Sequence, residues 1–342
     1  MSDGVTGQRA GDAAGRSSTL RVAFLGPHGT FCEQALRTLT PAVLGDALGD
    51  PEPATFPLPS TTLALDAVRR GDAEAACVPV ENSVEGGVPA TMDGLVEQPP
   101  LVIVREILLP VRFSVLVRPG TGFGDVRSVA SHPHGEAQTR RWIAEHLPGA
   151  EVRLTGSTAA AAEQVAAGTV DAAVCAPVAA AHHGLAELAS GVHDTGDAVT
   201  RFVLVRPPGP PGLPAPTGAD RTSLAATTVN RPGALLAVLT EIAVRGVDLT
   251  RIESRPLKDR RGEYWFFLDG TGHVADPAMG EALAALRRRC TEVRFLGSYP
   301  QARLGELADA PVGLPEPGAG QTAKDHAAAA AWLEALRDGT GA

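Results

Sequence analysis

Lysine is almost missing: of 30 Lys and Arg residues, only Lys258 and Lys324 are lysine. With the abundance of alanine, glycine and proline, this reads as genomic compositional bias rather than mechanism. Acidic side chains number 39, the formal net charge is −9, and a nucleic-acid surface is therefore not expected as the main function. No eighteen-residue apolar run occurs, so no membrane-spanning helix is expected. The small, polar segment 1–18 lacks the apolar stretch of a secretory signal. Cys32, Cys77, Cys175 and Cys290 are widely spaced with no C-x-x-C pairing, which predicts reduced, mostly core thiols in a cytoplasmic protein. His132-Pro133-His134 and His182-His183 have no carboxylate or cysteine at metal-site spacing, and no metal is expected.

What is present is ordinary globular composition, 44% hydrophobic and 20% charged over 342 residues, enough for two or three domains. Residues 1–19 are expected to be a disordered N-terminus. Residues 20–205 form a first domain, and 206–220, rich in proline and glycine, a linker through which neither helix nor sheet can run. Residues 221–301 form a second domain. Residues 302–342 are a tail with a helix expected over 323–337, whose Trp332, Leu333 and Leu336 offer a docking face.

In the first domain short apolar runs (Leu20–Leu25, Ala75–Val80, Arg127–Ser131, Ala172–Cys175) alternate with helical patterns, which predicts α/β architecture with mainly parallel strands. Thr30 and Glu33 read as a capping box, Pro133 suits a first helical turn, and Ser157 or Thr158 caps a helix over 159–167. In such sheets ligands bind beyond the carboxyl ends of strands, where helix amino ends favour an anion by about 0.3–1 kcal/mol each. The turn Gly26-Pro27-His28-Gly29-Thr30-Phe31 is neither a P-loop nor G-x-G-x-x-G. The run Val78-Pro79-Val80-Glu81-Asn82-Ser83-Val84-Glu85-Gly86-Gly87 presents a carboxylate, an amide and a hydroxyl straight after a strand. Thr200-Arg201-Phe202 sets a hydroxyl beside a guanidinium.

Taken in order, the G-P-x-G-T-F start, the P-x-E-N-S-x-x-G loop, Ser131-His132-Pro133 and the Thr200-Arg201-Phe202 closure resemble the prephenate dehydratase family over about residues 20–205. Cys32, His134 and Ala198 depart from residues common in that family. The resemblance implies a two-lobed, periplasmic-binding-protein-like fold and loss of hydroxyl and carbon dioxide from prephenate to give phenylpyruvate, with no cofactor. It implies that Thr200 is catalytic. Arg201 is expected to clamp a substrate carboxylate. Glu81, Asn82 and Ser83 are expected to complete the catalytic group, with Glu81 or His132 relaying a proton. Gly29, Thr30, His132, Gln138, Ser157, Thr158 and Phe202 are the candidate substrate-binding residues.

Residues 221–301 read as strand, helix, strand, strand, helix, strand, a ferredoxin-like βαββαβ unit. Asn230-Arg231-Pro232-Gly233-Ala234-Leu235-Leu236 and Glu253-Ser254-Arg255-Pro256 resemble the two signatures of a phenylalanine-binding ACT domain. That resemblance implies L-phenylalanine as allosteric effector at Asn230, Pro232, Gly233, Ala234, Leu235, Leu236, Glu253, Ser254, Arg255 and Pro256. It also implies a homodimer or homotetramer. Arogenate dehydratase and a non-catalytic solute sensor remain as alternatives.

Overall fold

The computed structural model describes residues 20–49, 52–194, 198–258, 260, 262–303, 322–338 and 340. The expected disordered N-terminus 1–19 and most of the tail before the last helix lie outside the described residues.

A first lobe opens with β1 (Arg21–Leu25), α1 (Phe31–Arg37), α2 (Pro41–Leu48), β2 (Ala54–Leu58), α3 (Thr61–Arg70), β3 (Ala75–Asn82), the short β4 (Gly86–Gly87), α4 (Pro89–Leu95) and β5 (Val102–Val111). The chain crosses into a second lobe of β6 (Ser114–Val117), β7 (Ser128–Ser131), α5 (Pro133–His146), β8 (Glu151–Leu154), α6 (Thr158–Ala166), β9 (Ala172–Cys175), α7 (Ala179–His183) and β10 (Ala186–Ser190). It returns through β11 (Ala198–Arg206). The first sheet has the order β2-β1-β3-β11-β5, the second β10-β6-β9-β7-β8. Both are mixed, which corrects the expectation of mainly parallel strands. β1 pairs parallel with β2 and β3, and β7 with β8 and β9, but β11 runs antiparallel to β3 and β5, and β6 antiparallel to β9 and β10. The physical reason lies in the crossings. β5 carries the chain out to the second lobe and β11 brings it back alongside, so the two run in opposite directions.

The third unit is β12 (Asp220–Thr227), α8 (Ala234–Ala243), β13 (Leu249–Pro256), β14 (Tyr264–Thr271), α9 (Pro277–Arg289) and β15 (Glu292–Pro300), in sheet order β13-β14-β12-β15. Both faces of this sheet are covered. Leu224, Ala226 and Leu268 pack beneath α8 and α9 with Val238 and Leu286. Ala225, Trp265 and Phe267 point the other way and share one core with Val78, Ile103 and Val203 of the first lobe. Full burial of a side chain such as Phe267 contributes about 1.5–3 kcal/mol. β15 lies so close to β5 that a Cβ on Gly297, whose φ is +144°, would sit 2.2 Å from the Ile103 carbonyl oxygen. Only glycine permits that approach.

The segment between β11 and β12 is tied back rather than free: Arg206 donates to the carbonyls of Pro207 and Gly209 at 3.0 and 3.1 Å. The final helix, α10 (Ala323–Arg337), forms as expected and brings His326 within 3.5 Å of Glu281 on α9. Its expected docking face does not dock: Trp332, Leu333 and Leu336 are all exposed.

Candidate active site

Between the lobes lies a cleft of about 400 Å³, open to solvent on one side. The first lobe contributes Thr30, Phe31, Asn82, Glu85, Thr200 and Phe202; the second contributes Phe113, His132, His134, Gln138, Ser157 and Thr158. Local rules explain the placement. Thr30 caps α1 and Ser157 caps α6, each accepting a backbone amide three residues on. His132 stands at the N-cap of α5, ahead of Pro133, and the Nδ1 of its ring accepts from the His134 amide at 3.3 Å. Burial and the neighbouring His134 hold the His132 imidazole below its ordinary pKa, against a smaller opposing pull from Glu85. The neutral ring, accepting at Nδ1, therefore carries its proton on Nε2. Phe31 and Phe113 meet edge to face across the cleft, their ring centroids 5.2 Å apart, and His134 pairs with Glu85 from lobe to lobe.

Thr200 is set with particular care. Register pairs it with Asn82 across β11 and β3, and the Asn82 side-chain amide donates to the Thr200 hydroxyl at 2.9 Å. The other end of that amide is fixed independently, because Oδ1 of Asn82 accepts from the Val84 and Glu85 backbone amides at 2.8 and 3.2 Å. Asn82 must then present its NH₂ to Thr200, so the hydroxyl receives one hydrogen bond and retains its own proton to give.

Several expected site residues are elsewhere. Thr200 and Phe202 face the cleft, and strand alternation sends Arg201 through to the far side of the sheet. There it is buried, donating to Glu106 at 2.7 Å, Glu81 at 3.1 Å, Asp269 at 2.6 Å and the Tyr299 hydroxyl at 2.8 Å. The carboxylate clamp expected of Arg201 is corrected: its carboxylates are the protein's own. Glu81 is corrected with it, since it faces the same side and also pairs with Arg251 at 3.0 Å. Ser83 braces the backbone, exchanging hydrogen bonds with Val199. The Gly29 amide is taken by Glu33 at 2.7 Å, which leaves it nothing to offer a substrate.

The same Glu33 accepts from Arg37 at 2.7 Å and lies 2.9 Å from His182 and 3.5 Å from His28. Among the described residues this is the cluster with metal-site spacing. The partners missing at short sequence range thus come from distant segments, but the Arg37 guanidinium already lies against the shared carboxylate oxygen. Sequence reasoning missed Glu106, Asp269 and Tyr299 because they sit in unremarkable strand segments far from any motif. A buried charge among strand residues was the one available signal.

Comparison with known proteins decides what this cleft belongs to. The family model for prephenate dehydratase matches residues 22–209, and that for the ACT domain matches 222–288. The chain belongs to the prephenate dehydratase family. It is 54% identical to a prephenate dehydratase of Amycolatopsis methanolica over 93% of this chain and 98% of that one. Among solved structures it resembles the prephenate dehydratase of Arthrobacter aurescens in complex with L-Phe. The TM-score is 0.81 and the identity 40%, over 93% of this chain and 100% of that one. A quorum-quenching acylase, GqqA, shares the fold at TM-score 0.73 and 32% identity, over 82% of this chain and 98% of that one.

The family's ACT signatures are separated by the same alternation that moved Arg201. A small hollow at the start of α8 is lined by Asn230, Ala234, Leu235, Tyr264 and Phe266. Pro232 and Gly233 form the turn into the helix, with Gly233 at φ +78°, a backbone conformation that favours glycine. Leu236 is exposed beyond it. On β13, Ser254 and Pro256 pair with Phe266 and Tyr264 and share their face of the sheet. Glu253 and Arg255 point the opposite way, toward the first lobe, where Glu253 meets Arg251 and Arg255 meets Asp93. The expectation that all four β13 residues face the effector is corrected for these two.

Proposed function

We propose that this chain is a prephenate dehydratase, a carbon–oxygen lyase converting prephenate to phenylpyruvate in phenylalanine biosynthesis, restrained by L-phenylalanine at its ACT domain. The observation that carries the reading is the Thr200 hydroxyl, held by Asn82 with its proton free, at the floor of a two-lobed cleft in a chain of this family. In the reaction the bond from ring to carboxylate breaks and releases carbon dioxide. The freed electron pair makes the ring aromatic, and the ring hydroxyl leaves with one proton as water. A hydrogen bond given by Thr200 to the departing oxygen stabilises charge that grows only in the transition state. His132 offers a second donor through Nε2–H.

The substrate is a dianion, yet no arginine or lysine lines the cleft among the described residues. We assign its carboxylates to the amino ends of α5 and α6, near His132, Gln138, Ser157 and Thr158, where free amides and the positive end of the helix dipole favour anions. Phe31, Phe113 and Phe202 supply the apolar wall for the ring. Residues 20–205 are taken as the catalytic unit and 221–301 as the sensor. A homodimer or homotetramer is part of the proposal, supported by exposed Val229, Leu236 and Ile252 beside the effector hollow. No helix among the described residues is long and apolar enough to cross a membrane, which accords with a cytoplasmic setting.

The test is incubation of purified protein with prephenate, and with arogenate alongside, with and without L-phenylalanine. Phenylpyruvate should form from prephenate, more slowly when phenylalanine is present. Preferential turnover of arogenate, or binding with no product, would replace the reading with one of the two alternatives.

A further inference from the structure

The buried charges behind the cleft are too numerous and too well matched to be incidental. Arg201 is 3% exposed and Asp269 is 3% exposed, one on the returning strand of the catalytic unit and the other on β14 of the sensor. Ser223 and Tyr299, both on sensor strands, complete the cage: Ser223 donates to Asp269 at 2.6 Å, and Tyr299 accepts from Arg201. Glu81 joins this cage to the remaining sensor strand, receiving Arg201 on one oxygen at 3.1 Å and Arg251 of β13 on the other at 3.0 Å. Thr200 precedes Arg201 and Asn82 follows Glu81, and these two residue pairs stand opposite one another across β11 and β3. Each strand therefore presents a cleft residue on its front and a sensor-bound charge on its back, one peptide unit apart.

β13 is two-faced in the same manner. Ile252 and Ser254 lie on the side of the effector hollow, while Arg251, Glu253 and Arg255 grip the catalytic unit. The fit is close, for a Cβ on Gly87 would lie 2.1 Å from the Glu253 carboxylate. Arg251 ties β13 to Glu81 directly at 3.0 Å, so a shift of that strand reaches Glu81 through this pair.

We infer that Arg251, Glu81 and Arg201, closed by Asp269, form a positioning device. It sets the Asn82–Thr200 pair from behind the sheet and carries movement of the sensor strand into the cleft. The inference rests on the dehydratase reading. It makes Glu81 and Arg201 positioning residues, and it makes the sensor part of what holds the active site in shape. Geometry errors of about 1 Å at a reacting group cost on the order of 10²-fold in rate, so small displacements suffice.

Arg251→Gln is the variant of choice, because it lies at the edge of the cage and leaves Arg201 and Asp269 paired. The expected result is a fall of at least fivefold in kcat with KM within twofold, since the anion-holding helix ends belong to the other lobe. In a Thr200→Ala background the same change should cost less than twofold, because the group it positions is already gone. A purely structural effect would multiply undiminished. Phenylalanine should still bind Arg251→Gln by calorimetry but should inhibit it at least fivefold less well. Glu81→Gln, which keeps a hydrogen bond, should lie between parent and Arg251→Gln. A kcat unchanged in Arg251→Gln, additive losses in the double variant, or undiminished inhibition would each overturn the inference. Prephenate turnover by the unaltered chain in the same assay tests the underlying reading separately from these ratios.

Discussion

A single hydroxyl whose lone pair is already engaged carries most of the chemical proposal. Thr200→Ala removes the donor but leaves the helix ends and aromatic wall in place. Its kcat should fall at least tenfold, about 1.4 kcal/mol or more, with KM changed less than about threefold; steady-state kinetics with prephenate checks this. Asn82→Ala frees the hydroxyl to rotate and strips acceptors from the Val84 and Glu85 amides. Turnover should again drop about tenfold. Thermal unfolding should show a loss of about 1 kcal/mol, the worth of a typical hydrogen bond. At this scale the sequence spoke unevenly. Thr200, Asn82, His132, Gln138, Ser157 and Thr158 could be picked out, and all of them line the cleft. The side from which Arg201 and Glu81 emerge could not, because a motif names residues without saying which face of a strand each occupies.

Among the elements, β11 and β15 do most to shape the molecule, and both were only half legible. The last strand of the βαββαβ pattern and the Thr200-Arg201-Phe202 motif can be read from the sequence, but the partners of these strands cannot. β11 is antiparallel to both neighbours, a fact set by where the chain returns from the second lobe and not by any local pattern. Helix starts were far easier, because a cap and the turn it closes lie within four residues: Thr30, Ser157 and Pro133 stand at or beside the expected positions. The close approach of β15 to β5 leads to a sharp prediction. Gly297→Val places side-chain atoms where the Ile103 carbonyl lies, and overpacking of this kind costs about 1–3 kcal/mol. Thermal melting of the full chain should show it, with the largest loss in the transition that separates sensor from catalytic unit.

For the molecule as a whole, strong acid should loosen the join between its two functions. Burial alone would raise the Asp269 pKa, but Arg201 and Arg251 with the Ser223 hydrogen bond outweigh it and hold the carboxyl below its ordinary value. Its folded pKa is thus lower than its unfolded one. The stability it contributes is present above the unfolded value, about 3.9, and is lost as pH falls through the folded value. Unfolding followed from pH 6 to pH 2 should show a loss that Asp269→Asn removes, at the cost of lower stability at neutral pH. Coupling between effector and substrate must also be mutual. If phenylalanine weakens prephenate binding by some factor, prephenate weakens phenylalanine binding by the same factor; calorimetry with each ligand held saturating measures both. The core that Trp265 and Phe267 share with Val78 and Val203 has a consequence for engineering. A foreign sensor transplanted onto this catalytic half would arrive with neither the matching apolar surface nor the missing side chain opposite residue 103. The two halves are cut to one another, and a chimera must recut both edges of the seam before either half can work.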